Sequence, residues 1–356
     1  MKNSGKQQKV IEVFIVDPSA LARQTLASCI NAHPQMTVIG HAVDPLFAWA
    51  KMKKRWPDVL VVDLDTPRMD GLSFLRNVMA ERPTPVIVCS ALDEADTASP
   101  LEALSAGAVS VLIKARLGVR EGLQSLSGEL LKQIETAARS QPQRSLRRAD
   151  AGAAAAETLC RPQSKRSGTH KLVAIGASTG GTQALERVLA GLDTDCPGLV
   201  IVQHMPARFT TAFAERLDQL CRIDVREARH HDRVRPGLAL IAPGGMQMEI
   251  KRQGHEMLVA LKDAPPVNHH KPSVDVLFES VARCLDADLL GIIMTGMGND
   301  GSRGLMSMHA AGASTLAQDE HSCVVYGMPK EAVKIGAVQQ SLGLDELAQA
   351  IRQFGK

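Results

Sequence analysis

Residues Leu172–Leu189 read LVAIGASTGGTQALERVL. An aliphatic run, Leu172–Gly176, passes through small and glycine residues into a run with helical apolar spacing. That pattern is a buried strand, a tight turn and a helix. Within it, Gly176-Ala177-Ser178-Thr179-Gly180 fits G-x-S-x-G. Such a turn exposes a serine hydroxyl at the C-terminal end of a strand, beside a helix N-terminus whose free N–H groups can stabilise an oxyanion. The same residues also suit a phosphate-binding turn or a plain strand–helix connection.

A nucleophilic serine needs a base, and the base needs an orienting acid. Working outward, Leu199–Gln203, Leu238–Ala242 and Leu289–Thr295 read as further strands alternating with helices. LVIVQHMP places His204 at the end of the next strand, and LLGIIMTGMGNDG places Asp300 in the loop after a later one. On a parallel sheet all three can share one rim. His230-His231 and His269-His270 are adjacent pairs with no carboxylate completing a metal motif, and read as surface loop residues. Met246–Lys251 and Met257–Leu261, separated by QGHE, read as a hairpin inserted in the sheet. The order serine, histidine, aspartate differs from the ordinary α/β-hydrolase order, in which the acid precedes the histidine. A rival reading takes Gly296-x-Gly298-x-x-Gly301 as a dinucleotide fingerprint, with Asp319 as the ribose-binding acid of an oxidoreductase. Asp300 would then point a carboxylate at the pyrophosphate, and Ser178 and His204 would have no role. A non-catalytic signalling adaptor is the other alternative; the complete triad argues against it.

The 356 residues suit two domains, and the break between them is compositional. Segment 139–170 is polar and Ala-rich, containing SQPQRSLRRAD, AGAAAAE and RPQSKRSGTH, and reads as a flexible basic linker. Residues 139–171 hold eight basic side chains against two acids, which more than accounts for the chain's net charge of +3. The basic excess therefore belongs to a tether rather than a nucleic-acid-binding face, and aromatics at 3% leave little for base stacking. The seven cysteines form no CxxC pair, so neither a disulfide framework nor a zinc ribbon fits. No apolar run reaches the ~18 residues of a membrane span and no secretory signal is evident, so a cytoplasmic protein without membrane insertion is expected.

Before the linker, strands at Val10–Val16, Met36–Ala42, Val59–Asp63, Pro85–Ser90 and Val109–Ile113 alternate with helical patterns near 19–31, 46–55, 71–81, 98–106 and 120–138. Five β/α units with aliphatic strands imply a parallel sheet covered on both faces. Asp17, Asp63, Ser90 and Lys114 then meet at its C-terminal rim. An aspartate beside a hydroxyl, a lysine and a divalent cation suits phosphoryl acceptance.

VFIVDPSALARQ, PDVLVVDLDTPRMDG, VIVCSA and SVLIKA resemble, in order and spacing, the motifs of response-regulator receiver domains. The resemblance implies Asp63 as phospho-acceptor, Ser90 and Lys114 as phosphate ligands, and Mg²⁺ held by Asp17, Asp63 and the Asp65 carbonyl. Pro18 stands where that family usually carries a second acid, which removes one carboxylate and weakens the Mg²⁺ site. VAIGASTGG, VIVQHMP, APPVNHHKPSVDVLFES, MTGMGNDG and AQDEHSCVVYGMPKEA resemble the chemotaxis protein-glutamate methylesterase family, CheB. That resemblance implies Ser178 as nucleophile, His204 as general base and acid, Asp300 as orienting acid, and oxyanion support from the Met297 N–H with Thr179. It implies hydrolysis of glutamate methyl esters and deamidation of glutamines on chemoreceptors, with no cofactor at the esterase. Implied partners are methylated chemoreceptors and a chemotaxis-type histidine kinase, with the receiver restricting access to the esterase rim. The expected architecture is α/β: a flavodoxin-like receiver over 10–138, the linker 139–170, and a Rossmann-like methylesterase domain with a β-hairpin insertion over 171–355.

Overall fold

The chain divides by its internal contacts into two units, Met1–Arg147 and Arg148–Lys356. The computed structural model describes residues 9–90, 98–113, 120–142, 171–284 and 287–356. Most of the expected linker, and Lys114, lie outside the described residues.

The first unit runs β1 (Ile11–Val16), α1 (Ala20–Asn31), β2 (Met36–Ala42), α2 (Pro45–Met52), β3 (Val59–Asp63), α3 (Gly71–Glu81), β4 (Val86–Ser90), α4 (Ala98–Ser105), β5 (Ser110–Ile113) and α5 (Arg120–Ala138). The strands pair in parallel in the order β2-β1-β3-β4-β5. The two faces of the sheet carry separate apolar cores. Phe14, Val16, Leu60, Val62 and Phe74 belong to one, and Val13, Ile15, Val61, Ile30 and Leu130 to the other. Alternate residues of each strand enter opposite cores, as the period of two requires. Helix boundaries follow local chemistry: Ser19, Asp44 and Asp70 cap α1, α2 and α3 by accepting from Ala22, Phe47 and Ser73 N–H.

The second unit runs β6 (Lys171–Ala177), α6 (Gly181–Ala190), β7 (Gly198–Gln203), α7 (Ala207–Leu220), β8 (Asp224–Glu227), β9 (Leu238–Ile241), β10 (Gln247–Gln253), β11 (Glu256–Lys262), α8 (Val274–Ala282), β12 (Asp288–Ile293), α9 (Ser302–Ala310), β13 (Ser314–Gln318), α10 (Met328–Lys334), β14 (Gln340–Leu342) and α11 (Leu344–Gly355). Seven strands form a parallel sheet in the order β14-β13-β12-β6-β7-β9-β8. The chain starts at the centre, builds outward through β7, then returns to the other side of β6 with β12. The gap between β6 and β12 is therefore the topological switch point, where ligand sites form in open α/β sheets.

The hairpin differs from expectation. β10 and β11 form a separate two-stranded sheet, bridged at Leu258 to Arg233 but not inserted in the main sheet. Met248, Ile250, Met257 and Val259 fill the core shared with α8, and the Ile250 N–H donates to Ser280 Oγ on that helix. An antiparallel pair with one apolar face needs only a helix against that face.

Candidate active site

Ser178, His204 and Asp300 stand in the loops after β6, β7 and β12, three neighbouring strands. The serine turn is fixed by its glycines. Gly180 has φ +77°, and a Cβ on Gly181 would lie 2.1 Å from Gln203 Oε1. Thr295 O accepts the Ser178 N–H at 2.9 Å, and Gly181 N–H closes the turn onto Ser178 O at 2.7 Å. Across the switch point, a Cβ on Gly296 would meet Ser178 Cβ at 2.6 Å, so the Met297 loop and the serine turn are in backbone contact. The Thr179 carbonyl accepts from Thr295 Oγ1, which ties the other side of that turn to the end of β12.

The His204 N–H donates to Ala177 O, one residue before the serine. His204 Nε2 lies 2.8 Å from Asp300 Oδ2. The ring is nearly buried, and Nδ1 has no hydrogen-bond partner among the described residues. Nδ1 is the ring nitrogen nearer the histidine's own main chain, which here is hydrogen-bonded beside Ser178. Bonded to the Asp300 carboxylate, Nε2 is the ring nitrogen that carries a proton.

Asp300 is buried, and it also accepts from Asn268 Nδ2 and Ser273 Oγ on Oδ1 and from the Val274 N–H on Oδ2, each at 2.7 Å. Burial opposes its ionisation, but the hydrogen bonds from His204, Asn268 and Ser273 outweigh it and hold the carboxyl well below the usual carboxylate range. The Val274 donor belongs to the first turn of α8, so the helix end also favours the anion. Gly301 packs against Val274. The loop that could be read as a dinucleotide fingerprint thus presents its acid to a histidine and a helix N-terminus.

In the receiver, Asp17 follows β1, while Asp63 and Ser90 end β3 and β4; all three are buried. Val16 pairs with Val62, so Asp17 and Asp63 occupy neighbouring strand ends. The Asp65 N–H donates to Asp63 Oδ1, and Ser19 N–H donates to Asp17 Oδ1. Arg23 Nη1 donates to the carbonyls of Asp17 and Pro18. Two adjacent carboxylates are donors that suit a hard divalent cation, one acid short because of Pro18. Among the described residues no cluster of three or more His, Cys, Asp and Glu could hold a metal ion, and no helix is long and apolar enough to cross a membrane.

A family model described as CheB methylesterase matches residues 173–351, and one described as a response regulator receiver domain matches residues 13–120. A curated relative from Dechloromonas aromatica, named protein-glutamate methylesterase/protein-glutamine glutaminase 2, is 52% identical over 354 residues, covering 97% of this chain and 98% of the relative. The chain belongs to this CheB family. A Photobacterium profundum member is 52% identical over 346 residues, covering 95% of this chain and 99% of its own. Among solved structures, the catalytic domain of Thermotoga maritima CheB methylesterase matches with TM-score 0.51 and 32% identity, over 52% of this chain and 98% of that one. Both expected domain types are thus present in this CheB chain.

Four supporting residues of the CheB site escape a reading by motif. His270, expected in a surface loop, is half-buried and stacks on His204 with ring centroids 3.6 Å apart and planes 5° from parallel. His269 is exposed with φ +68°, and only its neighbour turns inward. Asn268, Ser273 and Gln203 carry no signal in isolation, because each acts by donating to a group distant in sequence. His230 and His231 are exposed, as expected.

Proposed function

We propose that Ser178, His204 and Asp300 catalyse hydrolysis of glutamate γ-methyl esters on chemoreceptor cytoplasmic domains. The observation that carries the reading is the His204–Asp300 hydrogen bond, which leaves Nδ1 without a hydrogen-bond partner among the described residues, on a residue whose main chain is bonded to Ala177 next to Ser178. Ser178 Oγ attacks the γ-carbonyl carbon while His204 Nδ1 takes the hydroxyl proton. The Met297 N–H and Thr179 support the resulting oxyanion. The imidazolium, held by the Asp300 anion, returns the proton to the methoxy oxygen, and methanol leaves. Nδ1 then takes a proton from water, hydroxide adds to the acyl-enzyme, and collapse releases glutamate and restores Ser178. Glutamine deamidation follows the same route, with ammonia as the leaving group. The dinucleotide reading loses its support, since Asp300 already has five donors.

The chain is organised as receiver 10–138, linker 139–170 and esterase 171–355, and acts in the cytoplasm. A chemotaxis-type histidine kinase supplies phosphate to Asp63, and Ser90 and Lys114 bind the phosphoryl oxygens. Asp17, Asp63 and the Asp65 carbonyl would hold Mg²⁺, whose charge neutralises the incoming phosphoryl group; with Pro18 in place of an acid the affinity is low. Methanol release from methylated receptors by wild type and Ser178→Ala, with and without a phosphodonor, tests this function. Equal release by the two proteins refutes the assignment.

A further inference from the structure

Gln203 ends β7, immediately before the base, and is buried. Its Nε2 donates to two carbonyls at once: Ser178 O at 2.9 Å and His204 O at 3.1 Å. One amide therefore links the main chains of the nucleophile and the base. Its other end is poorly placed. Gln203 Oε1 is buried with no hydrogen-bond partner among the described residues, pressed against the backbone of Gly181. Rotating the amide would set Oε1 against both carbonyls, so the orientation is chemically fixed.

A buried carbonyl left without a donor costs stability. The arrangement also accounts for the second glycine of the turn: any side chain at 181 would occupy the volume of the Gln203 amide. We infer that Gln203 is a positioning residue, whose amide clamps the Ser178 and His204 main chains and so sets the approach of Ser178 Oγ to His204 Nδ1. It touches no substrate. Small displacements of reacting groups are costly in rate, so the clamp acts on kcat.

The inference rests on Ser178 and His204 as nucleophile and base. Gln203→Met keeps the length of the side chain and removes both donors. Full-length wild type, Gln203→Met and the isosteric Gln203→Glu are compared by methanol release from methylated receptor. Rates are expressed per active site, counted by stoichiometric fluorophosphonate labelling, so that unfolded chains do not mimic the effect. The expected result for Gln203→Met is kcat per active site lower by ~10–10²-fold and KM within about twofold, whatever the change in Tm. Gln203→Glu, which turns a carboxylate toward two carbonyls, should lose at least as much kcat. A purely structural glutamine gives the opposite pattern, a lower Tm with kcat per site unchanged, and that result overturns the clamp. Ser178→Ala separates the two levels. If it is inactive while both Gln203 variants are normal, the clamp alone fails; if it stays active, the nucleophile assignment fails and takes the clamp with it.

Discussion

His204 presents Nε2 to Asp300, 2.8 Å away, while its Nδ1 has no hydrogen-bond partner among the described residues. In the proposed mechanism the proton relay runs from Ser178 Oγ to Nδ1, with Nε2–H as the anchor. Three groups that act through one imidazole act as a unit. Ser178→Ala and His204→Ala should each reduce methanol release by roughly 10⁴–10⁶, and the double variant should be little worse than either. Multiplicative losses in the double variant would show that the two residues act independently.

Asp300→Asn replaces an acceptor by an amide that can hold the wrong tautomer, and kcat should fall by about 10⁴ with the fold retained. Binding of a nicotinamide dinucleotide by this variant, with esterase activity intact, would revive the rival reading of the GMGNDG loop.

The same carboxylate couples stability to pH. Its folded-state pKa is depressed below the unfolded value of about 3.9. Its contribution is therefore full above about pH 4 and is lost as pH falls through the folded value. Urea unfolding of wild type and Asp300→Asn at pH 6, 4 and 3 should show a stability gap that narrows with acidification. A gap independent of pH would mean that Asp300 contributes by packing rather than by charge.

His270 lies flat against the His204 ring, 3.6 Å between centroids. Aromatic stacking is worth roughly 0.5–1.5 kcal/mol, so His270→Ala should lower kcat by a few-fold to about tenfold. His270→Phe keeps the stack and should retain most of the activity. If Phe is as damaging as Ala, the contribution of His270 comes from its ring nitrogens and not from its face.

Pro18→Asp should restore the missing oxygen donor beside Asp17 and Asp63. Phosphorylation of Asp63 by a small phosphodonor, followed across a Mg²⁺ series together with methanol release, should then saturate at lower Mg²⁺ than in wild type. Equal Mg²⁺ dependence of the two proteins would show that Asp17 and Asp63 suffice.

The sequence determined the two α/β units, the order of their longer strands and helices, and the three rim residues at the ends of those strands. Aliphatic runs such as Leu199–Gln203 are long enough to mark buried parallel strands, and glycines mark the turns that follow them. The short edge strands β8 and β14 stayed hidden, because DVRE and QSL are half-exposed and lack an aliphatic run. The hairpin was legible, but not its separation from the main sheet, which depends on the face offered by α8. Only the tertiary structure decided that β12 returns beside β6, placing Asp300 within reach of His204, 96 residues earlier. It alone decided which ring nitrogen faces the acid, that His270 stacks while His269 does not, and that Gln203 bridges two carbonyls. The physical reason is that periodicity and spacing report burial and local conformation, which short-range sterics and the hydrophobic effect impose on any chain. Hydrogen-bond partners and ring contacts depend on strand order and register, and these are set by packing between segments far apart in sequence.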